Sequence, residues 1–421
     1  IILIKKAIQL NENDADADLR VSLGKIYLTL GDLDYAAKEL NTAKKLGAPT
    51  QKWLLPLMQI NYLQNENVTI SNLWQENKQD LDENNSYEAN LFYALSLLSQ
   101  KEKATGLIEI ERLASNAKNK NKHYQLLAAK LLKLMSADIK YKDISQNIQE
   151  LKVLANNNQN NWLTWLILSK AQFSFKDFEG ASVSYQHVSQ LLPKYDIAQI
   201  YAAESNIEAK NYKVADTQLK KLLQLYPLQP YINFLFAKNS LILKDFKGAR
   251  IAIEKTILSN YSTDTTKLVA GLIYYQLEEY ENAHSQLASL ATKLPPQHPA
   301  NKILIAVQIR LGYIEKAYSE LNENTIDKND AALIAAAAHS LLATNKTEQA
   351  FELLNRVKIS QAPSPALAIE LGKLKYRVGD HSSLVGLEET IRNITSDTAI
   401  SAIDVHQART MELASLVQKS N

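Results

Sequence analysis

Lys170, Glu204 and Lys238 recur at one constant interval and alternate in sign, and Phe173, Phe234 and Tyr275 lie close beside the same series. A row of that kind suits recognition of a polypeptide: charges set register while neighbouring apolar groups supply affinity. The same charges can equally form solvated links between successive segments, and the aromatics can pack those segments together. The sequence leaves both readings open. Catalytic patterns are another matter. The seven histidines (His123, His187, His284, His298, His339, His381 and His406) include no two at the spacing of a helical metal pair. The glycines are isolated, so no phosphate-cradling loop and no nucleophile elbow is formed. With no cysteine, disulfides and thiolate chemistry are excluded. The expectation is a non-enzyme without cofactor or metal.

The elements that position these residues are set by small side chains. Ala181, Ala215, Ala249, Ala283 and Ala317 follow one another in equal steps, and Ala350 falls one position short of the next. The step, about 34 residues, is the period of a tetratricopeptide (TPR) array, a stack of helix–turn–helix units in which each unit packs only on its neighbours. The expected fold is therefore all-α, a TPR-type α-solenoid wound as a right-handed superhelix. In the clearest unit Trp165, Leu168 and Ser169 lie on the first helix and Ala181, Tyr185 and Val188 share one face of the second, with Pro193 ending it. Lys176-Asp177-Phe178, Lys244-Asp245-Phe246 and Glu278-Glu279-Tyr280 supply the turns. The first helix of each unit lines the concave side. Its fifth, ninth and twelfth positions give Leu166, Lys170 and Phe173, then Ile200, Glu204 and Ile207, then Phe234, Lys238 and Leu241, then Leu268, Leu272 and Tyr275. The candidate groove contacts are Lys170, Phe173, Glu204, Phe234, Lys238 and Tyr275.

The array is expected to be one solenoid over 1–421 with about eleven repeats. Residues 1–16 read as the second helix of a cut repeat and 17–50 as the first complete one. Residues 51–160 read as degenerate repeats, 161–358 as regular ones, and 359–421 as a degenerate repeat with a capping helix near 397–417. Ile70 and Gly106 keep the rhythm only roughly, and the interval from Gly106 to Ala181 holds two units with a surplus. A net charge of +2 gives no reason to expect nucleic acid. No apolar run reaches membrane-spanning length; the most apolar stretch, Ala331 to Ala343, reads as a buried helix. TPR clamps for chaperone tails place Lys and Asn at positions five and nine. Here Val21 and Lys25, and Leu166 and Lys170, stand there, so the clamp is not matched.

The opening residues carry a narrower likeness. Ile8-Gln9-Leu10-Asn11, Leu23-Gly24-Lys25-Ile26-Tyr27-Leu28, Gly31-Asp32, Ala36-Ala37-Lys38-Glu39-Leu40, Ala43 to Ala48 and Leu54-Leu55-Pro56-Leu57 resemble the start of the PEP-CTERM-system TPR-repeat lipoproteins. The likeness ends near Asn65; the rest is similar to TPR arrays in general. The resemblance implies a scaffold of the bacterial envelope, periplasmic or at the outer membrane, serving exopolysaccharide or PEP-CTERM protein export. It implies protein or peptide partners, contact with export machinery, and membrane attachment only through a lipid anchor on a segment expected before Ile1. No lipobox cysteine is present. The alternatives are a cytoplasmic adaptor gripping a partner peptide, the periplasmic TPR region of a cellulose-type export protein, and a scaffold attached to a catalytic domain beyond Asn421.

Overall fold

The computed structural model describes residues 1–10, 16–81, 83–100, 102–116, 122–135, 141–291, 293–295, 298–323, 330–385, 387 and 389. Among these there are 22 α-helices and no strand. The chain divides into two compact units, Ile1–Leu225 and Tyr226–Asn421. In the first, α1 (Ile2–Leu10) precedes six helix pairs. These are α2 (Ala17–Leu30) with α3 (Leu33–Lys45), α4 (Thr50–Leu63) with α5 (Asn67–Asn77), and α6 (Glu83–Leu98) with α7 (Lys103–Ala114). They continue as α8 (Lys122–Met135) with α9 (Tyr141–Asn157), α10 (Trp162–Ser174) with α11 (Phe178–Leu191), and α12 (Asp196–Glu208) with α13 (Tyr212–Leu225). The second unit holds α14 (Pro230–Ile242) with α15 (Phe246–Leu258), α16 (Asp264–Gln276) with α17 (Tyr280–Ala291), and α18 (Pro299–Arg310) with α19 (Ile314–Glu323). Then come α20 (Ala331–Ala343) with α21 (Thr347–Asn355), and α22 (Pro365–Arg377). The expected capping helix near 397–417 lies outside the described residues.

The small-residue rhythm has a packing cause. Ala36, Ala181, Ala215, Ala249, Ala283, Ala317 and Ala350 all have no exposed surface, and each sits in the first turn or so of a second helix. A small side chain lets the two helices of these pairs approach closely, whereas the second pair buries Ile70 at the same register. The facing position on a first helix is as tight: a Cβ on Gly271 would come within 2.4 Å of Leu287. Between Gly106 and Ala181 the register position is Ile144 on α9, only half-buried. The surplus is thus shared between the intervals before and after Ile144.

A second periodicity lies in the turns. Gly31, Asn65, Lys176, Lys210, Lys244, Glu278, Gly312, Asn345 and Gly379 all have φ between 60° and 86°, and most follow one another at the alanine interval. Each ends the first helix of a pair in a Schellman arrangement. The N–H of the residue after it returns to a carbonyl five positions back, as in Asp177 to Gln172 at 2.8 Å, Asn211 to Asn206 at 2.8 Å and Asp245 to Ser240 at 2.9 Å. Asp177 and Asp245 then cap the second helix, accepting from the N–H groups of Gly180 at 3.1 Å and Gly248 at 3.0 Å. Phe178 meets Phe173 edge-on at 5.3 Å, closing its turn onto the core. Helix pairs of this build, repeated at this period and stacked in series, are a TPR-type α-solenoid.

Candidate partner-binding faces

Counting back from the left-handed turn residue places two rows on the first helices. Three positions before it lie Leu28, Tyr62, Phe173 and Ile207 in the first unit, and Leu241, Tyr275, Ile309, Leu342 and Tyr376 in the second. Six positions before it lie Lys25, Gln59, Lys170 and Glu204, and then Lys238, Leu272, Ala306, His339 and Lys373. All six candidate contacts except Phe234 belong to these rows; Phe234 sits one helical turn earlier.

In the first unit the rows are engaged within the unit. The Lys170 ammonium lies 5.0 Å from the centre of the Tyr62 ring, a cation–π contact between helices α10 and α4. Tyr62 in turn meets Phe92 edge-on at 5.5 Å, and Phe92 lies 6.1 Å from Trp162. Phe173 is half-buried against Phe178. Glu204 is half-buried near Tyr185, which stacks on Tyr201 at 5.4 Å. Burial, with Tyr201, Glu204 and Tyr62 nearby, pushes the Tyr185 phenol well above its usual range, although a bond to Ser169 acts the other way. A polar chain runs across four first helices beside this cluster. Gln59 Nε2 and the Tyr124 hydroxyl both donate to Glu88 Oε1 at 2.9 Å, and Asn161 Nδ2 donates to the Tyr124 hydroxyl at 3.1 Å. Burial pushes the Glu88 carboxyl above its usual 4.5, with the Tyr124 and Gln59 bonds opposing.

The first unit also touches itself across a long stretch of sequence. The loop after Pro193 reaches the first and second pairs: Lys194 N–H donates to the Leu30 carbonyl at 2.7 Å, and Lys194 Nζ donates to Asp32 Oδ2 at 2.5 Å. The Tyr195 hydroxyl donates to the Leu63 carbonyl at 3.1 Å. Tyr195 is 6% exposed and belongs to one apolar cluster that runs from Ile8 to Ala202.

In the second unit Phe234 is buried, stacked on Tyr231 at 6.1 Å and close to Tyr261. Lys238 is half-buried, as is Tyr275, which leans on Tyr280 at 6.1 Å. The row Leu241, Tyr275, Ile309, Leu342 and Tyr376 is half-buried at every member. The parallel row has Lys238 and Lys373 at its ends and Leu272, Ala306 and His339 between them, with His339 and Lys373 exposed. First helices lie side by side through this unit, α14 on α16, α16 on α18, α18 on α20 and α20 on α22, so each row crosses one continuous face.

Sequence reasoning missed Gln59 and Tyr62 because Pro56 and Ile70 make the second repeat look degenerate. The left-handed Asn65, one full period after Gly31, is the signal that would have put both in register. Lys194 and Tyr195 carry no such signal. Elsewhere among the described residues, a cleft of about 230 Å³ opens between Ile144 and Ile148 of α9 and Phe175 and Lys176 of the next turn. No group of three or more His, Cys, Asp or Glu residues that could hold a metal ion occurs among the described residues. No described helix is long and apolar enough to cross a membrane.

No family model matches the chain, and no curated relative matches it. Solved structures do. The yeast Tom70 crystal structure is 15% identical over 99% of this chain and 91% of that one, with a TM-score of 0.33. A TPR protein from Parabacteroides merdae is 15% identical over 63% of this chain and 98% of its own, at 0.38. YrrB, described as a TPR protein with an unusual peptide-binding site, is 17% identical over 46% of this chain and 100% of its own, at 0.41. At these scores nothing passes from those proteins to this chain, and the repeat architecture rests on its own helix pairs and period.

Proposed function

We propose that the chain is a non-catalytic protein-interaction scaffold whose partner surface is the inner face of the second unit. The observation that carries this reading is the pair of rows on α14, α16, α18, α20 and α22. One is half-exposed throughout, Leu241 to Tyr376; the other has Leu272, Ala306 and the exposed His339 between lysines at its ends. A polypeptide segment with apolar side chains and flanking carboxylates complements both rows. Phe234 supports the face from beneath, while Lys238 and Tyr275 meet the partner. Lys170, Phe173 and Glu204 serve the first unit itself. We further propose an envelope role, periplasmic or outer-membrane-associated, in exopolysaccharide or PEP-CTERM protein export. The likeness of the opening stretch, as far as about Asn65, to the PEP-CTERM-system lipoproteins supports it.

The test places a photo-crosslinking residue at Leu272, at Ile309 or, as an outer control, at Ile251, which is 59% exposed on α15. The same partner is expected from Leu272 and Ile309 and not from Ile251. Lys238→Glu should abolish the product and Lys170→Glu should leave it unchanged. A product from Ile251 alone, or one indifferent to Lys238→Glu, removes the inner-face reading. Recovery of the native gene product only from cytosol removes the envelope role and favours the cytoplasmic adaptor.

A further inference from the structure

In a solenoid each repeat touches its neighbours, and stability is a sum of local terms along the stack. The first unit departs from that rule. The loop between α11 and α12 joins the turn of the first pair and the end of α4, across 162 residues from Lys194 to Asp32 and 132 from Tyr195 to Leu63. The contact is close as well as polar. Gly31 ends α2 at φ +75°, and a Cβ there would lie 2.8 Å from the Tyr195 backbone nitrogen, 3.0 Å from Tyr195 Cβ and 3.1 Å from Leu192 Cβ. Inside this junction Lys170 covers Tyr62, so a second bridge joins the fifth pair to the second.

We propose that Lys194 and Tyr195 form a clasp, seated on Gly31, that closes the first unit on itself and makes its helix pairs unfold as one cooperative body. Opening one pair would break the long-range junction as well as its two neighbouring interfaces. The free energy of local opening therefore rises toward that of the whole unit. An array without such a junction frays from its ends.

The chain offers a clean reporter and a matched control. All four tryptophans, Trp53, Trp74, Trp162 and Trp165, belong to the first unit, so tryptophan emission of the full chain reads that unit alone. Gly47 has the same left-handed backbone as Gly31, at φ +82°, but a Cβ there meets nothing within 4 Å. Gly31→Ala and Gly47→Ala thus share the backbone strain and differ in the clasp. In urea, Gly47→Ala is expected to shift the midpoint slightly and keep the slope. Gly31→Ala is expected to lower both, because the slope follows the surface exposed in one step. Equal midpoints and slopes for the two variants overturn the proposal. Because the chain has no cysteine, Asp32→Cys with Lys194→Cys can be bridged by a short bismaleimide without background. The bridged protein should unfold at higher urea than the same unbridged pair, with the slope at least kept. A bridge that forms without moving the midpoint overturns the proposal independently.

Discussion

The two units are built from the same helix pair, yet they place different side chains on the matching face of its first helix. In the first, the positions three and six before each turn carry Tyr62, Gln59, Lys25, Lys170 and Glu204 beside Leu28, Phe173 and Ile207, and Lys170 and Tyr62 meet across the unit. In the second, the same positions carry leucines, isoleucine, alanine and tyrosines that stay half-exposed, together with the exposed His339 and lysines at the ends. The repeat fixes which helices are neighbours. It does not fix whether the inner face is consumed by the fold or kept for a partner. Lys170, long with a polar tip, reaches across the stack to the Tyr62 ring, whereas aliphatic side chains such as Leu241, Ile309 and Leu342 leave apolar surface half-exposed.

The largest effect that separates the units is expected at the far end of the second. Lys375 is buried at 3% exposure, and its ammonium meets Asp380 Oδ2 at 3.2 Å. Burial acts to raise the Asp380 carboxyl, but the hydroxyls of Ser383 and Ser382 and the Lys375 ammonium outweigh it and hold it below its usual 3.8. Asp380→Ala strands a buried cation, which typically costs about 3–5 kcal/mol. Circular dichroism should lose helix at lower urea while tryptophan emission keeps its wild-type midpoint, since every tryptophan belongs to the other unit. A folded carboxyl held low contributes stability above the unfolded value and loses it as pH falls through the folded one. The wild-type advantage over Asp380→Ala should therefore persist at neutral pH and shrink below 3.8.

A smaller effect tests cooperativity by equal insults. Ala181 on α11 and Ala249 on α15 occupy the same register position, and both have no exposed surface. A leucine at either overpacks one crossing, costing about 1–3 kcal/mol. Ala181→Leu should move the whole tryptophan transition as one step, because the first unit is closed. Ala249→Leu should broaden the helix-loss curve, because its damage stays with adjacent pairs. Hydrogen exchange resolved by peptide checks this directly: protection should fall across most of 17–191 in the first variant and mainly near 230–276 in the second.

What the sequence made legible follows from how local each cause is. The alanine period reports a close crossing in most pairs, broken at Ile70 and Ile144, and Ala181 to Ala350 lie where that crossing places them. The turn signature was half visible. Asp177 and Asp245 announce helix starts and Asn65 is a type that favours a left-handed turn, but the left-handed residues elsewhere include Lys176, Lys244 and Glu278, types that carry no obvious turn signal. The junction at Lys194 was invisible. Its partners Leu30, Asp32 and Leu63 each look like ordinary helix-end residues, and only the accumulated curvature of the pairs between brings them together. The six groove candidates lie on first helices, yet their position along the stack says nothing of what faces them.

The smallest effect bears on the polar chain of the first unit. Glu88 accepts from Gln59 and Tyr124, and burial holds its carboxyl above the usual 4.5. A carboxyl whose folded value is raised favours the folded state while protonated, and that advantage is lost as pH rises through the folded value. At neutral pH the buried anion is therefore a burden on the unit. Glu88→Gln keeps a carbonyl oxygen that can accept both bonds and removes the charge. The variant should match the wild type below pH 4.5 and exceed it in urea midpoint as the pH rises past the shifted value toward 7. Lys238→Gln in the second unit, which holds no tryptophan, should leave the tryptophan-detected midpoint flat over the same range. A variant midpoint that falls below wild type at neutral pH would mean that the anion is needed to hold Gln59 and Tyr124 together. The polar chain would then count among the bonds that keep the first unit's inner face engaged, alongside the contact of Lys170 with Tyr62.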